Sequence, residues 1–114
     1  MGVTLQTRQI GDVVVLDVSG RITLGEGSRA MRDEIRALTD KGNKKILLNL
    51  GDVSYIDSAG LGELVSGYTS MVRVGGTLKL LSLTKRVKEL LQITKTYTLF
   101  EVHEDEAQAV RSFA

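Results

Sequence analysis

The run Ile46-Leu47-Leu48-Asn49-Leu50 most restricts what this chain can become. Apolar side chains that do not alternate with polar ones suit a strand buried on both faces, so the run calls for a central strand with other layers covering it. Gly51-Asp52-Val53-Ser54 reads as a loop that ends the strand, and Leu61, Leu64, Val65, Tyr68 and Met71 then recur at the spacing of one helical face. Ser58, with Asp57 before it, thus falls at a helix start, where the first backbone N–H groups lack intrahelical partners and the macrodipole is positive. A phosphate on that hydroxyl would be stabilised locally. Asp and Ser are also ordinary residues at helix starts, so the pair alone does not separate a modified serine from a structural one.

The rest of the chain supplies neighbours for that strand. Val3 to Ile10 alternates apolar and polar residues, Gly11-Asp12 turns the chain, and Val13 to Val18 is a β-branched run, which together predict an antiparallel hairpin with its first strand at an edge. Ser19-Gly20 ends the second strand in this reading. Met31, Ile35 and Leu38 mark an amphipathic helix capped by Ser28 and stopped at Gly42. The strand at Lys45 to Leu50 follows, then the Ser58 helix to about Val74, ended by Gly75-Gly76. Leu78 to Leu83 is expected to be a strand, Thr84 to cap a short helix that turns Val87, Leu90 and Leu91 inward, and Leu99 to Val102 to be a last strand. A helix from Glu104 to Phe113, with Ala107, Val110 and Phe113 on one side, closes the chain. The order ββαβαβαβα is that of an α/β fold with a mixed sheet, an N-terminal antiparallel edge hairpin and about four helices. With 114 residues and neither repeat nor linker, residues 1–114 form a single domain in this reading.

Composition removes several functions. Fifteen basic residues against fourteen acidic ones leave a net charge of +1, too little to mark nucleic acid as a partner. Two basic clusters, Lys41, Lys44 and Lys45 and then Lys85, Arg86 and Lys88, have no interleaved aromatic residues and read as solvated faces. Without cysteine, and with His103 as the one histidine, neither a disulfide framework nor a zinc site can be assembled, and His103 itself reads as a surface residue. No apolar run approaches a membrane span or a signal core, and Gln6 breaks the acylation pattern that Met1-Gly2 begins. A cytoplasmic protein that does not insert into membranes is expected. A serine hydrolase is excluded on residues: its nucleophile elbow needs glycine where Ile56 stands, and Ser58 has no argued base. The chain is therefore read as not an enzyme.

Three separated motifs carry a resemblance: Ser19-Gly20-Arg21-Ile22 after the second strand, Val53 to Gly62 with its Asp57-Ser58-Ala59-Gly60-Leu61-Gly62 core, and Gly75-Gly76-Thr77-Leu78 before a strand. With this element order, the chain resembles the STAS domain family over nearly its whole length, and within it the single-domain anti-sigma factor antagonists of bacteria. The resemblance implies that Ser58 is phosphorylated by an anti-sigma factor that is also a serine kinase of the histidine-kinase-like ATPase type. Only the unphosphorylated form would bind that partner and free its sigma factor, with a phosphatase reversing the modification. Mg-ATP would belong to the kinase, so the chain itself would need no cofactor. Partner contacts are expected at Arg21, Thr23, Tyr55, Asp57, Ser58, Ala59, Gly60 and Leu61. Asp57 is read as a helix cap, and Ala59 and Gly60 as small enough for a partner backbone to approach. Leu61 also falls on the inward stripe. Thr23 departs from the pattern, since many relatives have Asp there. Two other readings stand beside this one: a structural or regulatory STAS subunit of a stress-signalling or lipid-transport assembly, and a receiver-like domain phosphorylated on Asp52 or Asp57, against which the opening hairpin argues.

Overall fold

In the computed structural model, which describes residues 2–114, five strands form one sheet in the order β1-β2-β3-β4-β5. β1 (Val3–Ile10) and β2 (Val13–Ile22) make the antiparallel edge hairpin, and β3 (Lys45–Ile56), β4 (Thr77–Leu81) and β5 (Val102–His103) each add in parallel. The connecting helices are α1 (Glu26–Asp40), α2 (Ser58–Arg73) and α3 (Lys85–Ile93), and α4 (Glu106–Arg111) closes the chain. Because each parallel strand is laid beside the one before it in the same direction, crossovers of one hand place α1, α2 and α3 on one face of the sheet. Their buried residues Met31, Ile35, Leu64, Met71, Val87 and Leu91 share one core with Val14, Leu16, Ile46, Leu48 and Leu80. The opposite face carries a smaller core of Val13, Val15, Leu47 and Leu81, covered by Ala109 and Phe113 at the α4 end of the chain. The non-alternating run at 46–50 is explained by this two-sided covering.

Several element boundaries differ from those read in the sequence. β2 continues through Ser19-Gly20 to Ile22, and Gly51 to Ser54, expected as a loop, belongs to the long strand β3. Pairing steps from Asp17↔Asn49 to Ser19↔Asp52 and from Gly20↔Val53 to Arg21↔Tyr55, so β3 inserts one extra residue twice. Each insertion reverses the side-chain alternation, which lets Leu50, Val53 and Ile56 all face the same core despite their odd spacing. Turn-forming residues here mark bulges rather than the end of a strand. Gly25, whose φ of 99° no other residue adopts readily, stands at the N-cap of α1, and Ser28 is buried in the first turn instead of capping it. Leu99 ends a 3-10 turn (Tyr97–Leu99), so the last strand lies further along, at Val102–His103. α4 starts after the Asp105 cap and buries Ala109 rather than Ala107.

Candidate functional site

Asp57 ends β3 in an extended conformation and caps α2, its Oδ1 accepting the Gly60 N–H at 2.9 Å. Its Oδ2 accepts the Leu24 N–H at 3.0 Å. One carboxylate thus joins the helix start to the β2–α1 loop. Burial opposes its ionisation, but the N–H groups of Gly60, Leu24 and Ala59 more than offset that, and the carboxyl is held below its usual range. Ser58 is the first residue of α2 and is exposed, its hydroxyl open to solvent at the positive end of a 16-residue helix.

Ala59 is half-buried beside Ser58, whereas Gly60 and Leu61 are withdrawn into the fold. A Cβ on Gly60 would collide with the Ile22 carbonyl oxygen and crowd Ile56, so this glycine lets α2 lie against the end of β2. Leu61, 5% exposed, packs in the main core. Leu61 thus follows the inward stripe, and both residues build the platform on which Ser58 stands. Thr23 is half-buried, its carbonyl accepting the Ser28 N–H at 3.0 Å, so this loop carries no acidic side chain at that position.

Leu24, next to Thr23, is 80% exposed, and the sequence reading passed over it. A single apolar residue between a strand end and Gly25 was the available signal, although its exposure depends on the grip of Asp57, 33 residues away. On the other side of the site, Arg21 and Tyr55 are cross-strand partners, with the Arg21 guanidinium 4.9 Å from the centre of the Tyr55 ring. Arg86, from the start of α3, lies 4.6 Å from the same ring and donates to the Tyr55 hydroxyl at 3.2 Å. Arg86, expected on a solvated face, is half-buried instead. His103, expected at the surface, is likewise half-buried on the far edge strand, its Nε2 2.6 Å from Glu101.

The receiver-like alternative fails on this geometry. The sheet opens with an antiparallel hairpin, Asp52 lies within β3, and both Asp57 oxygens are taken by backbone N–H groups. Among the described residues no group of acidic or histidine side chains is arranged to hold a metal ion, and no helix is long and apolar enough to cross a membrane.

A profile described as the STAS domain matches residues 4–109. The TM1081 homolog of Thermotoga neapolitana is 31% identical over 101 residues, covering 89% of each chain. The anti-sigma-B factor antagonist of Bacillus subtilis is 28% identical over 102 residues, 90% of this chain and 92% of that protein. Among solved structures, TM1081 of Thermotoga maritima superposes with a TM-score of 0.88 at 25% identity, covering 96% of this chain and 93% of that one.

Proposed function

The chain belongs to the STAS domain family, and from that premise we propose that it is an anti-sigma factor antagonist switched by phosphorylation of Ser58. In the unphosphorylated form it binds an anti-sigma factor that is also a serine kinase, and the sigma factor held by that partner is released. Phosphate on Ser58 blocks the binding, and a phosphatase restores it. The observation that carries this reading is the exposed Ser58 hydroxyl on a rigid platform, with Asp57 capping the helix and Gly60 and Leu61 seating it. The resemblance of the motif and the name of the Bacillus subtilis relative support the same partner class.

The switch is electrostatic. A phosphoserine adds about 1.5 to 2 negative charges at neutral pH. The helix N-terminus tolerates that charge in the free protein, but an interface closed over Ser58 would have to desolvate it. The fold survives while the complex does not. The chain then acts as a protein substrate and binding partner, with catalysis supplied by the kinase.

Two substitutions test this. Ser58→Ala removes the phosphate acceptor and keeps a small uncharged side chain, so it should bind the anti-sigma factor whether or not ATP is present. Ser58→Asp sets a negative charge at the same place and should bind about 2 to 5 kcal/mol more weakly, roughly thirty-fold or more. Both should keep the wild-type circular dichroism, because the Asp57 cap is untouched and Asp suits a first turn. Equal affinities for the two folded variants, measured by calorimetric titration, would reject the charge switch.

A further inference from the structure

Arg86 is placed at a cost to the fold that its contacts with Tyr55 only partly offset. The first turn of α3 has no acidic residue and carries Lys85, Arg86 and Lys88 against the positive end of its own helix, an arrangement that disfavours the helix. The Nε of Arg86 is buried and meets no hydrogen-bond partner among the described residues. Neither Arg86 nor Arg21 forms an ion pair with a carboxylate among the described residues. Two guanidinium groups, one from β2 and one from α3, instead lie against the ring of Tyr55, three residues before Ser58. Cation–π contact holds both groups in place without neutralising them. Local costs that the fold only partly offsets are a mark of residues kept for binding.

We propose that Arg21, Tyr55 and Arg86 form a cationic clamp that receives an acidic side chain, Asp or Glu, of the anti-sigma factor. The proposal rests on the antagonist reading above and extends the recognition surface from the β3–α2 corner to α3. Charge complementarity identifies the occupant: a guanidinium fork pairs with a planar carboxylate through two N–H groups, and a guanidinium already resting against a ring loses less side-chain freedom on binding. Asp57, two residues after Tyr55, does not compete, because the Gly60 and Leu24 N–H groups occupy its two oxygens. Thr23 leaves the neighbouring loop without a negative charge at that position. The clamp therefore favours a partner that presents acid at this spot and selects against one that presents a cation.

The test is binding of the purified full chain to the serine-kinase anti-sigma factor encoded in the same genome, without ATP, across a range of salt concentrations. Arg86→Gln keeps a donor for the Tyr55 hydroxyl and removes the charge, and Arg21→Gln removes the other charge at an exposed position where folding is not at stake. Each should weaken binding about ten-fold or more, and the loss of affinity with added salt should become shallower than in the wild type. Arg86→Lys should recover only part of the affinity, since an ammonium lacks the planar fork. If Arg86→Gln lowers the melting temperature, Arg21→Gln decides the outcome alone. Wild-type affinity and salt dependence in the folded Gln variants, with Ser58→Asp still blocking the complex, would overturn the clamp and leave the antagonist reading intact. A wild-type chain that does not bind the anti-sigma factor would overturn both.

Discussion

Gly60 and Ser58 are two residues apart and answer to opposite demands. The first must be small because the β2 backbone at Ile22 lies where its side chain would be; the second is exposed, as the proposed modification by a kinase requires. Gly60→Ala should therefore act on stability before it acts on binding. A methyl group driven against a carbonyl oxygen and the Ile22 and Ile56 side chains has to push α2 away from the strand ends, at about 1 to 3 kcal/mol. Urea unfolding should show a lower midpoint with an unchanged slope. A midpoint equal to wild type would mean that α2 moves aside freely, and the platform described for Ser58 would then not be rigid. The role of Asp57 as a cap could be read in the sequence because it depends on neighbours along the chain. Its bond to the Leu24 N–H could not, because that depends on the fold returning residue 24 to the end of β3.

α4 shows the same division at the level of an element. Its existence was legible from the acidic residues before an apolar pattern, but its inward face was not. Six helical residues span less than two turns, too few for a period to fix which of Ala107 and Ala109 points in, and the answer is Ala109. The 51–54 segment misled for a different reason: Gly, Asp and Ser are common to turns and bulges alike, and only pairing with a lengthened β2 distinguishes them. Lys79 had no signal at all within the leucine-rich strand β4. Its Nζ is 2.8 Å from the Ser112 hydroxyl, 2.9 Å from the Ser112 carbonyl and 3.0 Å from Glu101, and it lies over the Phe113 ring at 4.7 Å. A buried lysine thus fastens the end of α4 to the sheet. Lys79→Ala should cost about 1.5 to 3 kcal/mol, as expected for charge-assisted hydrogen bonds whose acceptors lose their donor. Amide exchange should rise first in α4, at Ala109 and Val110, and later in β3. Exchange that rises uniformly across the sheet would show that Lys79 supports the whole domain rather than this element.

For the molecule as a whole, charge sets how stability varies with pH. Arg8, on the edge strand, reaches Asp17 on β2 at 2.6 Å and Glu106 on α4 at 2.7 Å, and so links the hairpin to the terminal helix across the face that α4 only partly covers. Hydrogen bonds from Arg8 hold both carboxyls below their usual range, although burial works the other way. Asp57 and Glu101 are lowered as well, Asp57 by backbone N–H groups against its burial and Glu101 chiefly by His103 and Lys79. A carboxyl that is more acidic in the folded state than in the unfolded one binds fewer protons there, so it adds stability above the unfolded pKa. That stability is lost as pH falls through the folded value. With unfolded values near 4, stability should be level above about pH 5 and fall steadily below it. Arg8→Met removes the donor common to Asp17 and Glu106, whose pKa values then return toward normal. At neutral pH the variant should be less stable by about 1 kcal/mol, since both bridges are partly exposed to solvent. In acid the difference should vanish, because Asp17 and Glu106 become neutral in both proteins and no longer attract Arg8. Urea midpoints measured between about pH 2 and 7 should therefore converge at the acid end. Curves that stay parallel over the whole range would mean that the guanidinium contributes through packing alone and that the hairpin and α4 are not joined by charge.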